Sequence, residues 1–310
     1  MNLFDIIMPY VFAGISVGGQ YALISIGFTM VFGMLRLINF AHGDVFMLGG
    51  LIMVFVAASL PLYVAIPLVI ALIILIGFSI ERIAYRPLRE APRQSVMVAA
   101  IGVSYLIQNL ALYWTGGLNR VYPKIPWISD SIKILGVTTR RVTVVTPVLV
   151  LALVFALVWL INNTKIGIAM RAVAKDFNTS QLMGIKINTV ISATFVIGAF
   201  LAVVGSILFF SSFPSVFPLA GQMPGLKAFV AAVFGGVGSI PGAVIGGLLI
   251  GICESLIKGF DTILGPPGLG IIKGQWEMAI FSDAFTFILL IIILVFKPSG
   301  LFGEKPTDKV

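Results

Sequence analysis

The only histidine of the 310-residue chain lies in a short polar segment between two apolar stretches. This segment contains Asn39, His42 and Asp44, whose side chains carry an amide, an imidazole and a carboxylate. A metal site or a catalytic triad needs further ligands or an orienting partner, and the chain has no second histidine and only one cysteine, Cys253. Two interpretations stay open. The segment caps and joins two helices, with Asp44 at the start of the second, or it forms part of a gate or a subunit contact.

The elements around this segment are apolar enough for a lipid bilayer. Hydrophobic residues make up 59% of the chain and charged residues 10%, whereas soluble domains carry about 25% charge. Runs of roughly 18 or more apolar residues are typical of transmembrane helices. The sequence therefore predicts an all-α, polytopic membrane helix bundle over residues 1–310, with about seven full spans, a re-entrant broken segment and eight or nine helical segments in all. The predicted spans are Met8–Leu35, the two halves of Val45–Ile80 on either side of Pro61, Val96–Trp114, Val142–Ile161, Thr189–Ser211 and Met278–Phe296.

The apolar stretch Ala228–Cys253 is rich in glycine and is interrupted by a proline. Irregular backbone within a bilayer is tolerated only where it is buried in protein or lines a wet cavity. We therefore expect a half-helix that enters from outside, a break at Gly238–Gly242 at membrane depth, and a helix that returns outward. This break is a candidate gate, and close helix packing at the glycines is the alternative. The candidate gate residues are Gly235, Gly236, Gly238, Pro241 and Gly242.

Basic residues are concentrated in short segments between the predicted spans, which is typical of cytoplasmic loops. They lie in Glu81–Arg93, in the segment 162–188 and in the tail, with Lys297, Lys305 and Lys309. Counting spans from these segments predicts an outside N-terminus and a cytoplasmic C-terminus. The loop Thr115–Arg141, which this count places outside, is basic as well. The net charge of +8 reflects juxtamembrane loops and anionic lipid, and does not indicate nucleic acid binding.

A few polar side chains lie within the apolar stretches. Asp283 lies in the last of them, where a carboxylate is a functional-site hypothesis by default, unless its side chain reaches the interface near Gln275. Gln108 and Asn109 either line a pathway or make hydrogen bonds between helices.

A charged segment between Asn162 and Asn188 separates two uncharged runs. Its apolar residues recur at helical spacing and Asp176, Asn178 or Thr179 can cap a second helix, so we expect two short helices that form an elbow on the cytoplasmic face. Such an elbow suits a soluble partner, and an ordinary solvated loop is the alternative. The chain has no G-x-x-x-x-G-K-[ST] sequence and does not bind ATP through a P-loop. The predicted contact residues are Gly167, Arg171, Ala172, Lys175, Asp176, Gly184 and Ile185.

Five stretches of this sequence form a set of motifs. They are Gly18–Leu23, Phe32–Asp44, Arg171-Ala172 with Gly184-Ile185, Ala231–Gly242, and Lys297-Pro298 with Gly300–Gly303. Together these motifs resemble the membrane subunits of ABC importers, and among them the LivH-type permeases of branched-chain amino acid importers. Gly184 resembles the glycine of the importers' EAA loop, but this chain has Asn178-Thr179-Ser180 where that loop has Glu-Ala-Ala. The glycine-rich motif is less specific, since ribose-type permeases have a similar one.

The resemblance implies a transport subunit in a bacterial inner membrane that makes and breaks no covalent bond. It implies pairing with a second similar permease, two ATPase subunits that contact the elbows, and a periplasmic binding protein that delivers leucine, isoleucine or valine. This chain would bind no cofactor, because the partner subunits use the ATP. A urea or short-chain amide ABC permease is the alternative within the class. An ion-coupled secondary transporter is the alternative outside it, although such a carrier needs facing intramembrane carboxylates and Asp283 stands nearly alone in the sequence.

Overall fold

A computed structural model describes residues 3–35, 37, 39–89, 91–134, 137–264, 278–297 and 299–303. Gln275, Lys305 and Lys309, which entered the predicted topology, lie outside the described residues. Within the described part, eight helices are long and apolar enough to cross a membrane by length and composition. The predicted polytopic helix bundle is confirmed.

Long helices are joined by short helices, turns and short strands. The long ones are α1 (Leu3–Leu35), α2 (His42–Ser59), α3 (Leu62–Ile80), α4 (Arg93–Thr115), α6 (Arg141–Asn163), α9 (Ile187–Ser212), α11 (Ile240–Lys258) and α13 (Ser282–Phe296). The shorter ones are α5 (Pro126–Ser129), α7 (Lys165–Lys175), α8 (Phe177–Leu182), α10 (Gln222–Gly235) and α12 (Phe260–Leu264). A π-helical turn (Glu81–Tyr85) and a 3-10 turn (Arg86–Leu88) extend α3, and a 3-10 turn (Met278–Phe281) precedes α13.

The long helices form an inner and an outer group. Of the α1 span, 72% is buried within the protein, and α9, α2 and α11 are also at least half buried. By contrast, only 11% of the α13 span and 17% of the α6 span are buried. α1 packs along α11, α9 and α10. We infer that the inner helices form the core of the bundle, while the outer helices present apolar side chains to lipid.

Short strands and polar contacts define two opposite faces of the bundle. On the sheet face, β1 (Arg120–Val121) after α4 pairs antiparallel with β4 (Ser215–Val216) after α9. The same face carries the hairpin of β2 (Ser131–Ile134) and β3 (Val137–Arg140). On the elbow face, the segment after α3 contacts the start of α9 through Arg89 and Asn188. α4 and α9 therefore run in the same direction, as the span count predicts.

α10 and α11 form the antiparallel pair expected from the broken glycine-rich segment. The helices are separated at 236–239, so the break is confirmed but begins two residues earlier than predicted. Pro241 lies in the first turn of α11, where its missing N–H costs nothing. The Ser239 side chain caps this turn by accepting a hydrogen bond from the Gly242 N–H at 3.2 Å.

The structure places this break at one end of the bundle. A Cβ on Gly33, in the last turns of α1, would lie 3.8 Å from Gly238, and the Leu301 N–H, beyond the end of α13, donates to the Phe234 carbonyl at 2.9 Å. The break is therefore at the elbow face, not midway through the bundle. The reason is that α11, with 19 residues, is a full-length span by itself. α10 has 14 residues, about 21 Å of helix, and is too short to cross a hydrocarbon core of about 30 Å.

α2 also starts inside the bundle. His42, its first residue, packs against Gly27, where a Cβ would lie 2.2 Å from the imidazole Nε2. Gly27 precedes the end of α1 at Leu35 by eight residues, or about 12 Å of helix. The chain between α1 and α2 therefore runs back along α1 before α2 begins. Hydropathy does not report this feature, because it depends on packing.

Candidate functional site

A cavity of about 400 Å³ lies between α1, the first turn of α2, α4 and the first turns of α10. We call it the inner-helix cavity. Its walls are mostly apolar, and its polar groups come from three different helices. The apolar lining consists of Phe28, Phe40, Ile101, Tyr105, Met223, Leu226 and Phe229. The polar lining consists of Asp44, Ser104, Gln108 and Gln222.

Asp44 is the charged group of this cavity. Its side chain is only 3% exposed. Its carboxylate accepts hydrogen bonds from the Ser104 hydroxyl and from the Gln108 amide, at 3.0 Å. Gln108 in turn accepts a hydrogen bond from the Gln222 amide at 3.2 Å. These bonds link α2, α4 and α10 through one polar network at the cavity wall.

The first turns of α2 and α10 meet backbone to backbone beside this network. A Cβ on Gly43 would lie 2.8 Å from the Gly221 carbonyl oxygen, and one on Gly225 would lie 2.9 Å from the Gly43 Cα. No other residue type fits these positions without displacing the backbone. The contact brings two helix N-termini, each with a partial positive charge, to one side of this cavity.

Asn39 and His42 lie near this cavity but do not line it. The Asn39 side-chain oxygen accepts a hydrogen bond from the Tyr85 hydroxyl at 2.7 Å, and both residues are buried. The His42 ring packs edge-on against Phe28 with centroids 4.9 Å apart. His42 and Asn39 thus hold the segment before α2 against α1 and the π-helical turn.

The capping interpretation of this segment is wrong in its detail. Ala41 occupies the N-cap position of α2 and no side chain caps the helix. Asp44 lies in the first turn, but its carboxylate bonds to α4. Gln108 lines the cavity and makes the predicted hydrogen bonds between helices. Asn109 is exposed, does not line this cavity and donates to the carbonyl of Tyr105 in its own helix.

The structure divides the predicted pathway residues between two places. Asp44 lines the inner-helix cavity, with Asn39 and His42 behind it. The glycine group packs at the elbow face, where a Cβ on Gly235 would lie 1.9 Å from the Gly242 carbonyl oxygen. Gly236 has φ +107° and packs against Gly303. Pro241 and Gly238 belong to the same turn. This arrangement is a tight helix–helix contact, which is the close packing given above as the alternative to a gate.

The charged segment 162–188 forms the two short helices that its pattern predicts. α7 buries Gly167, Met170 and Val173. Asp176 caps α8 by accepting a hydrogen bond from the Thr179 N–H at 3.1 Å. α8 ends in a Schellman motif, in which Ile185 N–H donates to the Ser180 carbonyl and Gly184 has φ +83°. We call α7, α8 and their junctions the elbow.

The elbow is held firmly at its base and exposed at its tip. A Cβ on Gly167 would lie 2.3 Å from the Ile161 carbonyl oxygen, so α7 packs directly on the end of α6. Arg171 donates to the same carbonyl at 2.6 Å. Ala172 is half-buried, and Lys175 is exposed at the end of α7. Leu182 and Met183, at the tip, are 87% and 79% exposed. Such exposed apolar side chains beside a glycine suit a protein partner.

A second cavity of about 400 Å³ separates the elbow from the bundle. Its lining includes Tyr85 and Arg89 on one side and the elbow residues 173–178 on the other. Arg89 pairs with the fully buried Glu81, which also accepts a hydrogen bond from Ser192 of α9 at 2.6 Å. Burial lowers the pKa of the Arg89 guanidinium, and the neighbouring Glu81 carboxylate acts in the opposite direction. Tyr85 therefore lines this cavity opposite the elbow and donates a hydrogen bond to Asn39.

The expectation that Asp283 stands nearly alone is wrong. The ammonium of Lys227 on α10 lies 2.6 Å from Asp283 and 2.8 Å from Glu254. Glu254 also pairs with Lys258 and accepts a hydrogen bond from the Tyr21 hydroxyl at 3.0 Å. We call these residues the Lys227 cluster. The sequence contains its signal, a lysine and a glutamate at the edges of the apolar stretch that starts near Ala228. Among the described residues, no group of three His, Cys, Asp or Glu side chains is arranged to hold a metal ion.

Comparison with known proteins agrees with this architecture. The family model described as the branched-chain amino acid transport system / permease component matches residues 10–294. The chain is 36% identical to the high-affinity branched-chain amino acid transport system permease protein BraD of Pseudomonas aeruginosa, over 96% of each chain. It is 35% identical to LivH of Escherichia coli, over 98% of this chain and 97% of that protein. It is 26% identical to the ribose import permease protein RbsC of Haemophilus influenzae, over 77% of this chain and 74% of that protein. The chain belongs to the family of permease components of branched-chain amino acid transport systems.

Proposed function

We propose that this chain is the membrane-spanning permease subunit of an ATP-driven importer and that it translocates leucine, isoleucine and valine. The assignment of the substrate rests on the 35–36% identity, over nearly the whole chain, to permeases named for branched-chain amino acid transport. The ribose permease is more distant, at 26% identity over a smaller part of the chain. The largely apolar cavity beside a buried carboxylate is consistent with an amino acid substrate.

The proposed assembly contains a second similar permease, two ATPase subunits and a substrate-binding protein outside the membrane. Exposed Leu182 and Met183 at the elbow tip support an ATPase contact on that face. Closure of the ATPases would push the elbow, and the movement would reach the segment before α2 through Tyr85 and Asn39. In this proposal the chain has no ATPase activity of its own, and it couples movement of the elbow to access at the inner-helix cavity.

The proposed orientation places the elbow face in the cytoplasm and the sheet face outside the bacterial inner membrane. It is supported by the basic residues of the elbow and of the segment 81–89, since Lys and Arg are enriched in short cytoplasmic loops. α10 and α11 are antiparallel and leave the parity of the other spans unchanged. The N-terminus is then outside and the C-terminus is cytoplasmic.

The substrate is tested with the complete assembly, purified and reconstituted in vesicles that contain ATP. Uptake of radiolabelled leucine, isoleucine, valine, urea and ribose is compared at equal concentrations. We expect accumulation of the three branched-chain amino acids and none of ribose. Accumulation of urea with no leucine uptake would assign the chain to the amide permeases.

A second candidate function, an ion-coupled secondary carrier, is favoured by one observation. The Lys227 cluster places two carboxylates, Glu254 and Asp283, on one lysine within the bundle. However, Lys227 and Lys258 together balance the two negative charges, so the cluster holds α10, α11 and α13 together without net charge. We therefore assign it a structural role, and the energy source that drives uptake separates the two candidates.

A further inference from the structure

We propose that the inner-helix cavity binds the amino acid zwitterion during its passage, and that the Asp44 carboxylate binds the α-ammonium group of the substrate. This inference rests on the proposed function and adds to it a substrate site within the permease. It assigns one residue to one chemical group of the ligand, which makes it testable with ligands that lack that group.

Within the described part of the chain, no basic side chain forms an ion pair with Asp44, and this observation carries the argument. The other two deeply buried carboxylates of the described bundle are each neutralised by a basic residue, Glu81 by Arg89 and Glu254 by Lys227. Asp44 is equally buried, but no ion pair to it occurs among the described residues. Ser104 and Gln108 donate hydrogen bonds to it and bring no charge. A buried carboxylate without a counter-charge is costly, and an ammonium ligand in the cavity would supply one.

The rest of the cavity matches the other two parts of a branched-chain amino acid. The first turns of α2 and α10 carry partial positive charge, which favours a carboxylate, as at the interrupted helices of other transporters. Phe28, Ile101 and Phe229 provide apolar walls for a branched side chain. The volume of about 400 Å³ is within the range of about 300–1,000 Å³ that is usual for small-molecule sites. Urea and ribose carry no ammonium group and would leave Asp44 unpaired.

The test uses the complete transporter complex and a photoreactive diazirine analogue of leucine. After irradiation without the binding protein, peptide mapping should place the label in 101–108 or 221–229. Isopentylamine, which keeps the ammonium group and lacks the carboxylate, should compete with labelling. The competitor 4-methylpentanoic acid, which lacks the ammonium group, should be weaker by on the order of tenfold or more, the loss expected for a hydrogen bond between charged groups. Equal competition by both compounds, or labelling confined to other segments, would overturn the assignment.

A matched pair of variants provides the second measurement. Asp44→Asn keeps the size of the side chain and removes its charge, and should reduce leucine-competable labelling and leucine uptake by on the order of tenfold or more. Asp130→Asn removes an exposed carboxylate on the sheet face that pairs with Lys124 and Arg141, and should leave both unchanged. The ligand competition needs no variant, so it decides the question even if Asp44→Asn does not fold.

The two proposals fail in different ways. If the unmodified complex does not accumulate leucine, the proposed function is wrong. If it accumulates leucine, and Asp44→Asn assembles and labels as the unmodified complex does, the function stands and the Asp44 assignment is wrong.

Discussion

The His42 side chain fits into the bundle because the residue beside it, Gly27, has no side chain. The His42 imidazole occupies the position that a Cβ on Gly27 would take, and Gly198 borders the same ring. The ring is buried, and its Nε2 has no hydrogen-bond partner among the described atoms. The position of α2 along α1 therefore depends on one glycine and one histidine.

Gly27→Ala should destabilise the protein, because its methyl group would overlap the imidazole. Overpacking of this kind costs about 1–3 kcal/mol. His42→Ala in the same chain should restore much of the loss, since it removes the overlapping ring. Thermal unfolding of the purified complex measures both effects. Gly102→Ala is the control, because a Cβ there meets no atom within 4 Å. Equal effects of the two glycine substitutions would contradict the packing.

Lys227→Met should be among the most destabilising substitutions in α10, because it leaves Asp283 without its ion pair and Glu254 with only Lys258. Breaking a buried ion pair by removing one partner costs about 3–5 kcal/mol. The midpoint of thermal unfolding should fall well below that of Lys124→Met, which removes the exposed partner of Asp130. Similar midpoints for the two variants would show that the Lys227 cluster does not hold the helices together.

The sequence identifies individual polar residues well but not their partners. Asp44 stands out in a short polar turn, and Gln108 stands out in an apolar span. Their hydrogen bond joins positions 64 residues apart, which no local pattern reports. For the same reason Asp283 looks isolated in the sequence, although Lys227 and Glu254 reach it from two other helices.

At the scale of elements, local patterns predict what local interactions determine. Two short helices and the Asp176 cap of the elbow follow from residues within a few positions of one another, and both are confirmed. The break before Pro241 is also confirmed, because proline acts on its own turn. The positions in the bundle at which α2 and α10 begin depend on packing, of α2 against Gly27 and of α10 against Gly43. Hydropathy carries no information about these contacts, so it does not predict where the two helices begin.

Leu182→Asp should weaken binding of the ATPase subunits and leave membrane insertion intact. The side chain is 87% exposed at the elbow tip, so a charge there does not disturb the bundle but opposes an apolar contact. Co-purification of the ATPase with the tagged permease measures the effect. Leu118→Asp is the control, since Leu118 is 63% exposed on the sheet face. Undiminished co-purification in Leu182→Asp would remove the elbow tip from the interface.

At the scale of the whole molecule, the two faces of the bundle must lie on opposite sides of the membrane. The apolar spans and their number follow closely from hydropathy, which is a local property of the chain. Orientation does not, because Thr115–Arg141 on the sheet face is also basic. The strand pair between 120–121 and 215–216 shows which loops share a face, and the choice of side rests on the basic elbow.

Cysteine accessibility in intact cells should show which face of the bundle is cytoplasmic. In a Cys253→Ala background, Lys124→Cys on the sheet face should react with a membrane-impermeant maleimide. Lys186→Cys on the elbow face should react only after the membrane is permeabilised. Both lysines are exposed in the structure, so burial does not explain a difference between them. The reverse pattern of labelling would invert the proposed orientation.

The central claim is that this chain moves substrate only when ATPase subunits drive it, and the energy source for leucine accumulation tests this most directly. Vesicles are prepared with the permease alone or with the complete assembly. Each is supplied with internal ATP, with a proton gradient or with a sodium gradient. We predict accumulation only in the complete assembly with ATP, unchanged when an ionophore collapses the ion gradients. Gradient-driven accumulation by the permease alone would contradict the account and identify an ion-coupled carrier.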